Sequence, residues 1–300
     1  MKKQGSTEEA MKAIQLNLDN RRRAIFTKND LKEIVIQNLP DVGLNQRTLI
    51  QGQILKYLWE KEKLKEVKFE FPSRKETRYL FGDITNLELA QSLKPNAYLA
   101  HRAAMFIHGL CDEYPAMIYI NVEQSQNHKR NTNTLTQSTI DQAFKNKARV
   151  SNEIAEANNM KVCITHGQKT DQLGVEARKG PSGELLRVTD IERTLIDITV
   201  RPVYAGGPRE VIRAYGKAAE IVSIDKLNKM LIEMNFVYPY YQSVGFYLQA
   251  SKAFSNKDIK TFENIDKKFD FYLDYRMKKP AYSQRWKIYY PESLVERAPS

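Results

Sequence analysis

A short run of polar and basic residues, Asn45, Gln46, Arg47, Thr48, Gln53 and Lys56, lies on a segment whose apolar residues Ile50, Ile54 and Leu58 recur at helical spacing. The apolar stripe faces a core, which leaves Asn45, Thr48, Gly52 and Lys56 opposite it, Gln46 and Gln53 beside them, and Arg47 nearer the core side at the first turn. Amide and hydroxyl groups can read base edges in a major groove, and Gly52 lets backbone come close to a ligand. Further on, Arg74, Lys75 and Arg78 sit in and beside a polar turn, and Arg21, Arg22 and Arg23 precede the segment. Cations so placed neutralise phosphates and release their counterions. The chemistry this pattern supports is non-covalent recognition of double-stranded DNA.

Catalytic chemistry has weaker support. Asp171, Glu176 and Arg178 resemble the acidic pair and cation of metal-dependent nucleases, but an arginine stands where a lysine is usual. The four histidines are scattered: His101 and His108 are seven apart, without the four-residue spacing of HExxH, while His128 and His166 fall in a polar loop and at a strand end. Cys111 and Cys163 are too few for a disulfide framework and read as core residues. The chain has no phosphate-binding GxxxxGK[ST], no GxGxxG after a strand and no GxSxG elbow. No enzymatic activity, metal or cofactor is expected.

The charge agrees with a polyanionic partner. The 300 residues carry a net charge of +11, and residues 1–82 hold 17 Lys and Arg against 11 Asp and Glu, more than half of the excess in about a quarter of the chain. A length of 300 favours two domains. No stretch approaches the roughly 18 apolar residues of a membrane span, and the opening residues lack the apolar centre of a signal peptide, so a cytoplasmic protein without a membrane partner is expected.

The elements needed to position these side chains can be read in order. Residues 8–18 form an amphipathic helix, and Thr27 stands three residues before Asp30 as the cap of a second helix over 31–39. Pro40, Asp41 and Gly43 break the chain before the third helix, which runs from Asn45 to Trp59. Residues 67–71 and 78–81 then alternate like two strands of a hairpin joined by PSRKET. Three helices and a hairpin are the parts of a winged helix-turn-helix, whose third helix enters the major groove.

Beyond a boundary near residue 83, Asn96 can cap a helix ended by Gly109, followed by a strand at 116–122 and a polar loop over 124–137. Strands are expected at 160–166 and 185–188, with a turn around Gly180, Pro181 and Gly183. Thr189 and Glu192 form a capping box that starts a helix over 190–199, on which Arg193 and Asp197 face each other. Pro202 follows that helix, Gly206 and Gly207 turn the chain, Pro208 opens another helix and Ser223 caps a third. Strand-like runs at 269–276 and 286–291 close the chain. Arg193, Asp197, Arg201 and Tyr204 read either as ordinary helix stabilisation or as a polar constellation for a partner.

Residues 188–214, VTDIERTLIDITVRPVYAGGPREVIRA, resemble the signature of AbiEi-type antitoxins, and residues 98–122 are similar to another block of that family. The matching signature positions are Asp190, Glu192, Arg193, Thr194, Asp197, Arg201, Pro202, Tyr204, Gly206 and Gly207. Ile191 stands where many members carry proline, and the turn of the wing lacks their glycine. The resemblance implies a type IV toxin-antitoxin component of abortive infection, a phage defence. Its N-terminal domain would repress its own operon and its C-terminal domain would oppose a nucleotidyltransferase toxin.

The expected fold is α+β, with a winged helix-turn-helix over 1–83 and a larger mixed domain over 84–300. The expected function is a DNA-binding transcriptional repressor and antitoxin whose partners are double-stranded promoter DNA and a nucleotidyltransferase toxin. The alternatives are a metal-dependent nuclease and a protein-interaction module whose winged helix does not bind DNA.

Overall fold

The computed structural model describes residues 24–38, 64–125 and 135–294, and outside these ranges Leu16, Gly52, Gln53 and Lys56. In chain order the elements are β1 (Ala24–Phe26), α1 (Lys28–Asn38), β2 (Lys65–Glu70), β3 (Lys75–Phe81), α2 (Asn86–Gln91), β4 (Tyr98–Leu99), α3 (His101–Ile107), β5 (Ile118–Glu123) and α4 (Gln137–Lys145). They continue with β6 (Ile154–Ala157), β7 (Met160–Gly167), β8 (Val175–Lys179), β9 (Leu185–Thr189), α5 (Ile191–Val200), α6 (Pro208–Ala218), α7 (Ile224–Glu233) and α8 (Tyr240–Ala250). The last are α9 (Asn256–Glu263), β10 (Phe271–Tyr272), β11 (Pro280–Ser283) and β12 (Ile288–Pro291). The chain is mixed α+β and forms two compact units, Met1–Pro95 with Glu153–Lys161, and Asn96–Asn152 with Val162–Ser300.

In the first unit, Thr27 and Asp30 cap α1 reciprocally. The Thr27 amide donates to Asp30 Oδ2 at 2.6 Å and the Asp30 amide to Thr27 Oγ1 at 3.2 Å. β2 and β3 form the expected antiparallel hairpin, from Lys65 opposite Leu80 to Glu70 opposite Lys75. Its turn, Phe71 to Arg74, closes with the Phe71 amide bonded to the Arg74 carbonyl at 2.9 Å, and none of its residues adopts a positive φ, so no glycine is required. Two strands were not anticipated: β1 pairs with the far side of β3, and β6 meets β2 at Glu70 and Glu156.

The boundary expected near residue 83 lies further on, after Pro95. Thr85 and Glu88 form a capping box on α2, which buries Leu87, Leu89 and Ala90, and Arg78 of β3 bonds to the carbonyls that follow it. Those contacts hold residues 84–95 in the first unit. Residues 153–161 join it as well, through a turn in which Asn158 and Asn159 take φ of 46° and 61°.

The sheet of the second unit has the order β7, β5, β4, β9, β8. β5 runs parallel to β7 from Ile118 opposite Val162 to Glu123 opposite Gly167, and β8 and β9 form a hairpin. α5, whose Leu195, Ile196 and Ile198 are fully buried, lies within the helical core with α6, α7 and α8. Several expectations need correction here. Asn96 caps no helix: residues 98–99 are β4 and α3 begins only at His101. Asp190, not Thr189, caps α5, because its carboxylate accepts from the Arg193 amide at 2.7 Å while Glu192 turns towards α7. Residues 175–179, for which no strand was expected, are β8, and the end of the expected polar loop belongs to α4, capped by Thr136 and Thr139 over buried Ile140 and Phe144.

The turn after α5 follows the expected chemistry. Gly206 and Gly207 hold φ of 98° and 100°, a region few side chains tolerate, and Pro208 supplies the first residue of α6. Ser223 accepts from the Lys226 amide at the start of α7. Cys111 and Cys163 are buried and unbridged. Among the described residues, no helix is long and apolar enough to cross a membrane.

Candidate functional site

Of the residues expected to read DNA, Asn45, Gln46, Arg47 and Thr48 and the cluster Arg21, Arg22 and Arg23 lie outside the described residues, as do His128 and most of the first and third helices. Gly52, Gln53 and Lys56 are helical and exposed. Near the hairpin turn, Lys75 is exposed and pairs with Glu70 at 2.7 Å, an ion pair and hydrogen bond that lower the Glu70 carboxyl pKa.

The other two wing cations are not placed as expected. Arg78 is buried on the inward face of β3 beside Leu80. Its Nε and Nη2 donate to the Ser92 carbonyl at 3.1 and 3.0 Å, and Nη2 also reaches the Leu93 carbonyl at 3.1 Å. A strand position two residues from a core leucine shares its face, and the carbonyls there satisfy the guanidinium, so Arg78 anchors the hairpin instead of facing phosphate. Arg74 lies over the Phe71 ring at 4.0 Å and pairs with Glu76 at 2.7 Å and Glu153 at 2.6 Å, so its charge is largely taken up within the unit.

In the second unit, Arg193 is the hub of a buried network. Its Nε bonds Asp197 Oδ1 at 2.8 Å, Nη1 donates to the Leu173 carbonyl at 2.7 Å and to Thr170 Oγ1 at 3.2 Å, and Nη2 to the Tyr98 hydroxyl at 3.2 Å. Burial opposes the charge on Arg193, but Asp197 outweighs it and holds the pKa above its ordinary value. Burial also pushes the Tyr98 hydroxyl up to about 12. Asp190 and Glu192 grip Lys226 of α7 at 2.9 and 2.8 Å, and Glu192 accepts from the Ser223 amide at 2.8 Å. Signature residues 190, 192 and 193 thus tie helices and strands of one unit together.

A cleft of about 1590 Å³ opens beside this network and is lined by Arg193, Asp197, Arg201 and Tyr204. Sequence reasoning did not add His101, Tyr238, Tyr240 or Tyr275 to that group, although all four line the cleft. Their separation in sequence, with no shared motif, hides the convergence. His101 stands at φ 52°, is buried against Tyr119 and Tyr204, and has no hydrogen-bond partner at Nδ1. Burial lowers its pKa to about 4, against the opposing influence of Asp197. Arg201 donates to the Tyr275 hydroxyl at 3.4 Å. His108, by contrast, is engaged in the fold, with Nε2 2.6 Å from the Thr189 carbonyl.

The carboxylates considered for nuclease chemistry have separate partners, Asp171 with Lys169 at 3.1 Å and Glu176 with Arg178 at 3.5 Å. Among the described residues, no group of three or more His, Cys, Asp or Glu could hold a metal ion.

No family model matches the chain, and no curated protein matches it. Among solved structures it is similar to the crystal structure of RV2827C protein from Mycobacterium tuberculosis, with a TM-score of 0.55 and 14% identity over 93% of this chain and 89% of that one. At that identity the likeness is one of fold.

Proposed function

We propose that the chain is a transcriptional repressor that binds double-stranded promoter DNA through a winged helix-turn-helix in its first unit. The observation that supports this most is the order β1, α1, helical residues at 52, 53 and 56, then β2 and β3, with β1 antiparallel to β3 and β3 to β2. That order is compatible with a winged helix-turn-helix, in which a third helix would enter a major groove. Gln53 and Lys56 are exposed on that helix, Lys75 is exposed beside the hairpin turn, and the net charge is +11. Phosphate contacts then come from Lys56 and Lys75, and base contacts from the helix.

On the resemblance of residues 98–122 and 188–214, the second unit acts as a non-catalytic antitoxin opposing a nucleotidyltransferase toxin. The test is a titration of the full chain against its own promoter and a scrambled duplex. Lys56→Ala and Lys75→Ala weaken both alike, whereas Gln53→Ala acts more strongly on the promoter. Equal loss on both duplexes for all three variants refutes base reading by the helix.

A further inference from the structure

The cleft of the second unit carries more polar and aromatic chemistry than its fold needs. Arg201 contacts tyrosine hydroxyl instead of a carboxylate, and no acid pairs with it among the described residues. Two acids line the same cleft, but Asp171 is held by Lys169 and Asp197 by Arg193. Lys147, Arg149 and Arg201 remain as excess cations, the first two exposed at the margin and the third half-buried. A cleft with that balance attracts an anion, and a guanidinium in a partly dry site binds phosphate strongly.

The remaining groups narrow the class of anion. His101 is buried in the wall, and its Nδ1 has neither a hydrogen-bond partner nor access to solvent. Half-buried Tyr238 and Tyr275 also line the cleft beside Arg201, which places flat apolar surface next to the cation. An anion-attracting cation beside an aromatic face matches the phosphate and base of a nucleotide, and the volume of about 1590 Å³ exceeds what one nucleotide fills.

We propose that this cleft binds a nucleotide, with its phosphate on Arg201 and Arg149 and its base against Tyr238 and Tyr275. The nucleotide is either free or the unpaired end of a nucleic-acid strand; the bases of an intact duplex are stacked and cannot present their faces to the tyrosines. The site is separate from the proposed duplex reader, which lies in the other unit.

The test titrates the full chain with AMP by calorimetry and with a single-stranded RNA of about ten nucleotides by fluorescence anisotropy, a length typical of single-strand sites. Saturable binding is expected for at least one probe. AMP alone identifies a free nucleotide, and a preference for the RNA identifies a strand end. Arg201→Met weakens binding at least about tenfold and Arg149→Ala about threefold, as expected for an inner and an outer phosphate cation, while affinity for promoter duplex stays unchanged in both. Should Arg201→Met lower the melting temperature, Arg149→Ala and Tyr238→Ala carry the same expectation from less buried positions. The proposal is overturned if the wild type binds neither probe, or if well-folded variants bind as tightly as wild type. It is equally overturned if an acidic peptide shows the Arg201 dependence and neither nucleotide probe does.

Discussion

Arg78 in the first unit and Arg193 in the second are both arginines drawn inside the fold, yet their surroundings differ. Arg78 is held chiefly by main-chain carbonyls at the end of α2, with Glu76 beside it at 3.0 Å, whereas Arg193 is matched by a carboxylate on its own helix and joins two further segments. The hairpin around Arg78 sets several of its cations against glutamates, while the cleft beside Arg193 leaves Arg201 without an acid. Local charge excess in the sequence therefore did not identify where positive charge is available to a ligand. Residues 1–82, with more than half of the net charge, take up Arg74 and Arg78 internally, and the second unit keeps a guanidinium without an acid in a concave site.

Substitutions can break or sharpen this contrast. Arg193→Ala leaves Asp197, which is mostly shielded from water, without its cation and should cost about 3–5 kcal/mol, the largest effect, seen as a fall in thermal stability. A milder loss for Arg193→Ala than for Arg78→Ala would reverse the comparison. Gly245→Ala tests packing in the same unit without touching charge: a Cβ there runs into the Trp286 ring, which is fully buried, and about 1–3 kcal/mol is expected in the same melting experiment. Arg78→Ala should cost about 1–3 kcal/mol through the Ser92 and Leu93 carbonyls it leaves without their donor, with loss of hydrogen-exchange protection confined to the first unit.

A pH titration of stability separates the units by a different lever. Burial lowers the His101 pKa from 6.5 to about 4, so the unfolded chain takes up the proton first. Its contribution is intact above pH 6.5 and is lost as pH falls from there to about 4, and burial lowers His108 in the same direction. Denaturant melts of His101→Asn, a residue that tolerates the positive φ at this position, should show a shallower decline through that window, and an unchanged slope would contradict the assignment. Lys75→Ala should have the smallest effect on stability, under about 0.5 kcal/mol, since its pair with Glu70 is exposed.

Legibility followed the locality of the physics. The Thr27 cap, the hairpin, the glycine and proline turn at 206–208 and the Ser223 cap depend on neighbouring residues, and the structure contains each of them. β1 and β6 are short, and each is held by pairing with a strand remote in sequence, so no local period announced them. Arg78 could have been read: in a strand that alternates, it shares the parity of Leu80 and must point inward. In the second unit Arg193, Asp197, Arg201 and Tyr204 were legible as a group because one helix and its turn carry them. His101, Tyr238 and Tyr275 reach the same cleft from distant segments through tertiary packing alone.

The claim at the centre is that the first unit grips duplex DNA, and the salt dependence of promoter binding by the full chain tests it most directly. The account predicts tight binding that weakens steeply and linearly in log K against log salt, with Lys56→Ala and Lys75→Ala each lowering the slope by about one. A chain that ignores promoter DNA at low salt, or a slope unmoved by either lysine, would contradict it.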